Sequence, residues 1–314
     1  MPYNSLISRA DAAAMIPEQV SNAMLGNLSN TSAALATFTR IPVARNQVRF
    51  PVLSALPTAY FVTPTDTGLK QTTEAAWSNA YLNIEELAAI VPIPEAVLDD
   101  AGYDVFGAIQ PLLEQAIGRA LDAAVFFGTN APSSWPTNVV AAAVAAGNVV
   151  ARGANAVSEG GYTGDISDLF ATLEEDGYNP NAIIANTTVR AFLRNNRATD
   201  GQMLQEVSTA QAFGVPVTYP MAGQWPSGTS VAEAIAMQRE NFVIGVRQDI
   251  TYKIITEGVI TDNTGAIIYN LPQQDMVALR VVFRVGWQVS NPINYQQVTE
   301  GSRYPAAVLR TPAT

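Results

Sequence analysis

The chain has 314 residues and a formal net charge of −10, and only 14% of its residues are charged while 48% are apolar. It contains no cysteine and no histidine, which excludes disulfides, thiolate metal sites, thiol nucleophiles and the catalytic triads that depend on histidine. The acidic balance argues against a specific nucleic-acid binder, and so few charges predict a surface that other chains largely cover.

Residues 1–45 are small and polar, with one amphipathic piece and then an extended stretch that lacks a core of its own. No cationic region followed by an apolar one stands at the start, so no export signal is predicted. No apolar run in the chain reaches the length of a membrane span, and we expect no membrane partner. We predict an N-terminal arm that lies on another part of an assembly.

Residues 46–93 contain a threonine-rich excursion with β-forming residues on both limbs and a turn near Asp66–Gly68. Two strands without a further partner are marginally stable in water. The excursion, residues 57–80, is therefore predicted to dock on another subunit; a flexible surface hairpin is the alternative. The interface candidates are Tyr60, Val62, Lys70 and Trp77.

The stretch from Asp104 to Phe127 carries apolar residues in the i, i+3, i+4 rhythm of a helix with one buried stripe. Asp104 is placed to cap its start and Gly128 to end it. Pro111 is expected to bend the helix without ending it, because the stripe keeps its phase. The predicted stripe contains Val105, Phe106, Ile109, Leu112, Leu113, Ala116, Ile117, Ala120, Leu121, Ala124 and Val125.

Residues 137–270 contain short helical and strand patterns that predict a compact α+β domain. The expected elements are a helix over 166–176, a strand over 181–185, a capped helix ending at 195, a strand over 215–219, a strand pair over 235–245, a strand over 246–255 and a hairpin turn at 262–265. Residues 94–136 and 271–314 then form a second unit.

From Val277 to Val289 every odd position is apolar, and the even positions include two arginines and a glutamine. This alternation predicts a strand with one buried face, far longer than the usual five or six residues. The long helix and this long strand are of matched length, roughly 36 and 43 Å, so we expect them to pack against each other.

The sequence gives little support for a catalytic site. The acidic pairs Glu85–Glu86 and Asp99–Asp100 and the run Glu174–Asp176 lie where charge is solvated or caps a helix. Lys70, near the hairpin tip, is one of only two lysines. A lysine in a dry pocket can lose its proton and attack an amide, although a solubilising charge is the preferred interpretation. No cofactor and no metal site are predicted, and the chain is not expected to be an enzyme.

The order of these parts resembles the tailed-bacteriophage major capsid protein with the Hong Kong 97-type fold. Residues 84–128, IEELAAIVPIPEAVLDDAGYDVFGAIQPLLEQAIGRALDAAVFFG, are similar to that family's passage from hairpin limb to spine helix. Residues 241–254, NFVIGVRQDITYKI, and 274–299, QDMVALRVVFRVGWQVSNPINYQQVT, are similar to its closing region.

The resemblance implies an α+β fold with an arm (1–45), an extended hairpin or E-loop (46–93), a peripheral domain (94–136 and 271–314) and an inserted axial domain (137–270). It implies pentamers and hexamers of one chain that close into an icosahedral shell around double-stranded DNA, assembled in the host cytoplasm and located in the virion. A cellular nanocompartment shell that encloses protein is one alternative, and a secreted binding module is another.

Some members of the family form a self-catalysed Lys–Asn isopeptide bond assisted by a glutamate. The positions that match here are Lys70, with Asn291 or Asn294 as the acceptor and Glu300 as the assisting acid. The family also implies scaffolding, portal and decoration proteins as further partners, and contacts with packaged DNA that are not specific for sequence.

Overall fold

The structure, a computed structural model, describes residues 32–59, 61, 72–100, 104–195, 197, 202, 208–220, 225–226 and 231–312, with the backbone alone at 248–249. Within these residues the strands form a four-stranded sheet, a six-stranded sheet and two two-stranded ribbons. One large hydrophobic core joins the two larger sheets, and a smaller cluster lies on the far side of the six-stranded one.

The strands are β1 (Thr39–Pro42), β2 (Gln47–Ala55), β3 (Ala76–Asn83), β4 (Glu85–Pro94), β5 (Val149–Ala151), β6 (Ala182–Ala185), β7 (Gln211–Ala212), β8 (Val215–Thr218), β9 (Ala232–Met237), β10 (Phe242–Ile255), β11 (Val259–Thr261), β12 (Ile267–Asn270), β13 (Met276–Val289) and β14 (Ala306–Arg310). The α-helices are α1 (Ala33–Thr37), α2 (Glu95–Asp100), α3 (Val105–Phe127), α4 (Val139–Ala146), α5 (Tyr162–Glu175) and α6 (Val189–Asn195). Single 3₁₀ turns lie at Val157–Glu159, Arg239–Asn241 and Glu300–Ser302.

The long helix α3 is confirmed with both predicted ends. The Asp104 carboxylate accepts from the Gly107 N–H at its start, and Gly128 ends it in the left-handed conformation. The helix runs through Pro111. The predicted stripe is too broad, however, because one of its rows is exposed and two acidic residues are buried in its place. The exposed row is Leu112, Ala116 and Ala120, and the buried acids are Glu114 and Asp122.

The long strand β13 is also confirmed, as a central strand of the sheet ordered β1-β10-β13-β4. Its odd residues, from Leu279 to Trp287, share the large core with the inner face of α3, as predicted. The expectation that its other face is mostly open is wrong: Ala278, Val282 and Gly286 are buried as well. At Gly286 the reason is that β3 crosses this face of the sheet, with the Asn83 carbonyl directly above the glycine.

The six-stranded sheet, ordered β5-β14-β9-β6-β8-β7, has two buried faces. Alternate residues of β6, β9 and β14 point into the large core and into the smaller cluster beneath α5 and α6. In β14, for example, Ala306 and Val308 belong to the first and Ala307 and Leu309 to the second. Two-sided burial explains why these short strands are almost continuously apolar.

Two strands depart from their predicted places. The sequence patterns place residues 246–255 within the inserted domain, but these residues continue β10, which pairs along its length with β13. Residues 306–310, expected in the peripheral unit, form β14 between β5 and β9. Long-range pairing decides both positions, and local patterns do not encode it. The domain boundaries at 137 and 270 stay a prediction, and each of these two strands pairs with strands of the other predicted unit.

Candidate assembly surfaces

The hairpin formed by β2 and β3 is a two-stranded ribbon, with the register running from Gln47 opposite Asn83 to Leu53 opposite Trp77. The Trp77 side chain is 66% exposed, and Phe61, beyond the ends of the strands, is 97% exposed. Large apolar side chains left in water mark a surface that another molecule covers. The other predicted interface residues, Tyr60, Val62 and Lys70, lie outside the described residues.

Both limbs of this hairpin are fixed to the body of the same chain. The Ile293 N–H donates to the Leu53 carbonyl at 3.1 Å, and the Tyr295 hydroxyl donates to the Pro57 carbonyl at 2.6 Å. On the other limb, the Gln288 amide donates to the Tyr81 carbonyl at 2.8 Å. The ribbon therefore leaves the body in a defined direction while its side chains remain exposed.

A second ribbon, β11 and β12, carries exposed apolar side chains as well, at Val259, Ile267 and Ile268. Its turn is the predicted one, and the Asp262 carboxylate organises it by accepting from the Thr264 hydroxyl and N–H and from the Ala266 N–H. These hydrogen bonds, led by the one from the Thr264 hydroxyl, hold the pKa of Asp262 below its ordinary value.

The outer side of helix α3 offers a third exposed apolar row, Leu112, Ala116 and Ala120, in which the Leu112 side chain is 61% exposed. These positions are spaced at i, i+4 and i+8 and therefore follow one line along the helix. The row lies on the side opposite the core.

The arm is attached to the body through Asp122 of α3. Its carboxylate accepts from the Ser32 hydroxyl at 2.7 Å, the Ala33 N–H at 2.8 Å and the Ala34 N–H at 3.0 Å. These donors stand at the start of α1, where backbone N–H groups have no partner within the helix. Burial raises the pKa of Asp122 to about 6, although the three hydrogen bonds oppose that shift. Residues 1–31 of the predicted arm lie outside the described residues.

The loop after β13 contains both predicted cross-link acceptors. In the structure, both side chains form hydrogen bonds within the body of the chain. The Asn291 carboxamide accepts from the Tyr178 hydroxyl at 2.5 Å and donates to the Arg303 carbonyl at 3.0 Å. The Asn294 carboxamide donates to the Asp176 carbonyl at 2.7 Å and accepts from the Gln297 N–H, also at 2.7 Å.

The buried Arg303 guanidinium completes this loop by donating to three backbone carbonyls, those of Asn291, Pro292 and Val298. Burial raises the pKa of Tyr178 to about 12, and nearby Arg303 opposes the rise. Glu300 is exposed in a 3₁₀ turn of the same loop. Asn291 and Glu300 are thus brought together, whereas Lys70 lies outside the described residues. The cross-link stays a prediction.

Sequence reasoning missed Asp122, Arg303 and the glycines of the central sheet. A signal existed for two of these features. A carboxylate inside an otherwise apolar helical stripe indicates a buried acceptor with specific donors, and a glycine inside an alternating strand indicates a close approach of another backbone. Arg303 gave no local signal, because its partners are carbonyls of an irregular loop.

Metal-binding and membrane-spanning features are both missing from the described residues. No group of three or more histidine, cysteine or acidic side chains within those ranges is placed to hold a metal ion. None of the helices in the part of the chain that the structure covers combines the length and the apolar character needed to cross a membrane.

Known proteins show the same arrangement. The phage capsid family matches residues 12–294. The major capsid protein of Staphylococcus phage 80alpha is 26% identical over 261 residues, which is 80% of this chain and 74% of that protein. A solved structure from Microbacterium phage Oxtober96 is 34% identical with a TM-score of 0.78, covering 98% of this chain and 100% of the other. One from Mycobacterium phage Adephagia is 29% identical with a TM-score of 0.80, covering 99% of both chains.

Proposed function

The chain belongs to the phage capsid family, and we propose that it works as the major capsid protein of a tailed phage, self-assembling as pentamers and hexamers into an icosahedral shell around double-stranded DNA. The predicted Hong Kong 97-type α+β fold is confirmed. The protein is a structural component of the virion capsid, and its main partner is itself.

The observation that carries the assembly proposal is the projecting hairpin. Its first limb is held by hydrogen bonds from residues 293 and 295 of the loop after β13, yet Trp77 and Phe61 remain largely exposed. Holding large aromatic side chains in water is unfavourable unless a partner buries them. Aromatic residues are also the side chains that contribute most at the centres of protein interfaces. A sister copy is the partner that a homopolymeric shell supplies.

The two alternatives from the sequence are not favoured. The Staphylococcus, Microbacterium and Mycobacterium relatives are phage proteins, which gives no support to a cellular nanocompartment shell or to a secreted binding module. The two solved structures cover 98% and 99% of this chain, which leaves no large part of it free for a separate binding function.

Other partners follow from the same proposal. Scaffolding, portal and decoration proteins would contact the shell during and after assembly. The packaged DNA would meet a chain with a net charge of −10, which supports weak contacts without sequence specificity.

The chain acts as a building block and not as an enzyme, and the cross-link is the one covalent step in question. It would join the Lys70 amine to the carboxamide carbon of Asn291 or Asn294 and release ammonia. Boiling assembled particles in detergent tests it. A ladder above 33.4 kDa in the unmodified chain that disappears in Lys70→Arg would support the bond, and a single band would exclude it.

The test of the main proposal is electron microscopy of the purified full-length chain. We expect closed particles of uniform diameter, built from rings of five and six copies. A chain that stays monomeric across the micromolar range, with no particles under any salt condition, would contradict the proposal. Particles isolated from a phage-producing lysate would contain nuclease-protected double-stranded DNA, whereas a nanocompartment would contain protein.

A further inference from the structure

Two glycines face each other across neighbouring strands at the centre of the molecule. Gly245 of β10 pairs directly with Gly286 of β13. Neither has a positive φ, since both belong to regular strands. Their conformations would suit any residue, so the requirement for glycine at these positions concerns space.

The space above the two glycines is filled by the last residues of the hairpin and by Val43. A Cβ added at Gly286 would stand 2.1 Å from the Asn83 carbonyl oxygen and 2.8 Å from its carbon. One added at Gly245 would stand 2.8 Å from a methyl of Leu82 and 2.9 Å from a methyl of Val43. The clash at Gly286 is with backbone, whereas the clash at Gly245 is with the ends of side chains. Gly245 should therefore tolerate a larger residue better than Gly286 does.

Asn83 is also the corner at which the hairpin becomes part of the sheet. β3 ends at Asn83, and β4 begins at Glu85, where it pairs with Val285 of β13. The chain thus passes from above the sheet to its edge within two residues. The Trp135 indole N–H donates to the Asn83 carbonyl at 3.2 Å, and the Asn83 side chain donates to the Ser134 carbonyl at 2.8 Å.

We propose that the Gly245–Gly286 pair is the seat that, together with the hydrogen bonds from the loop after β13, sets the direction in which the hairpin leaves the body, and thereby the angle at which sister copies meet. This inference rests on the proposed function. The far end of the ribbon is held by the hydrogen bonds to Leu53 and Pro57, so a lift of Asn83 tilts the ribbon about that end. The six residue steps from Asn83 to Trp77 span about 20 Å, and a lift of about 1 Å at the seat therefore tilts the ribbon by about 3°.

Three glycine variants separate positioning from folding. Gly286→Ala introduces the backbone clash, and Gly245→Ala introduces a clash that rotation of Leu82 and Val43 can relieve. Gly301→Ala is the matched control, because nothing lies within 4 Å of an added Cβ there and its φ is not positive. Each full-length chain is purified, its unfolding temperature is measured, and its particles are imaged.

We expect the yield of closed particles of normal diameter to fall about tenfold or more in Gly286→Ala, with open sheets or particles of altered diameter in their place, because the added methyl displaces backbone at the seat. Gly245→Ala should show a smaller fall, and Gly301→Ala none. Altered diameter is the decisive readout, since a purely structural role would lower the unfolding temperature without changing the curvature of the particles that form.

Trp135→Phe covers the case in which Gly286→Ala fails to fold. It keeps an aromatic ring but removes the N–H that holds the Asn83 carbonyl, so particle diameter should vary more widely than in the unmodified chain. Normal particles from Trp135→Phe and Gly245→Ala, or from a folded Gly286→Ala, would overturn the inference. If the unmodified chain forms no particles at all, the proposed function fails first, and the two failures are thereby distinguished.

Discussion

Trp287 of β13 is 1% exposed and lies in the core against Phe38, whereas Trp77 of β3 is 66% exposed on the hairpin. The same type of side chain is thus buried in one region and exposed in the other. In the body, helix α3 and the four-stranded sheet bury the apolar faces of each other. In the hairpin, two strands leave an aromatic side chain exposed, because the ribbon has no third strand or helix to cover it. The body should therefore determine whether the chain folds, and the hairpin whether it assembles.

The largest effect on folding should come from the inner face of α3. Leu121→Ala removes a side chain that is 1% exposed and leaves a cavity in the core, so we expect the free energy of unfolding to fall by about 2–5 kcal/mol. Leu112→Ala, on the exposed side of the same helix, should change it by no more than about 0.5 kcal/mol. Urea unfolding of the unassembled subunits measures both, and equal losses would contradict the assignment of the two faces.

The protonation of Asp122 should change the free energy of unfolding by a comparable amount, and this change should depend on pH. Its pKa is about 6 in the folded chain against an ordinary 3.8, so the folded state binds a proton more tightly between those values. The free energy of unfolding should therefore rise as the pH falls through this window, by up to about 3 kcal/mol from this group, and the gain is lost again above pH 6. The measurement is urea unfolding of the unmodified chain and of Asp122→Asn at pH 7 and pH 4.

The difference between those two proteins isolates Asp122 from the other carboxylates. Relative to Asp122→Asn, the unmodified chain should have a higher free energy of unfolding at pH 4 than at pH 7. Asp262→Asn is the control of opposite sign, because the pKa of Asp262 is held below its ordinary value and its contribution is lost as the pH falls. A difference for Asp122→Asn that stays constant with pH would show that this carboxylate is not buried in the folded chain.

The smallest effect on folding, combined with a large one on assembly, is expected at the hairpin. Trp77→Ser should leave the unfolding of the unassembled subunit within about 0.5 kcal/mol, because the ring is mostly in water already. Removing the ring from an interface between copies should cost about 2 kcal/mol or more, seen as a higher concentration threshold for particle formation. Light scattering against concentration measures that threshold. Unchanged assembly would remove Trp77 from the interface.

The elements with strong periodicity could be predicted from sequence, and those set by long-range pairing could not. Helix α3 and strand β13 have apolar repeats that only one secondary structure satisfies, and their packing followed from matched lengths. The partner of β10 and the place of β14 depend on which strands meet in space. The exposed row on α3 could not be recognised, because alanine is compatible with either environment and Leu112 interrupts no pattern.

The predicted assembly surface was accessible to sequence reasoning for a different reason. A polar, threonine-rich excursion with β-forming limbs has no stable structure alone, so Trp77 could be predicted from the sequence as an interface residue. The structure shows that its side chain is exposed, and its place in an interface stays a prediction. The seat beneath the hairpin could not be assigned, because Gly245 and Gly286 lie 41 positions apart and become neighbours only through the register of β10 and β13. That register is fixed by a bulged strand pairing which no local pattern encodes.

The position of β14 also has a consequence for synthesis on the ribosome. This strand, residues 306–310, lies between β5 and β9 and supplies alternate side chains to both hydrophobic clusters. During translation β5 and β9 emerge first and cannot join until it follows. The six-stranded sheet is therefore complete only after residues 306–310 have left the exit tunnel. Nascent chains that have not yet released β14 therefore lack one strand of this sheet and part of both hydrophobic clusters.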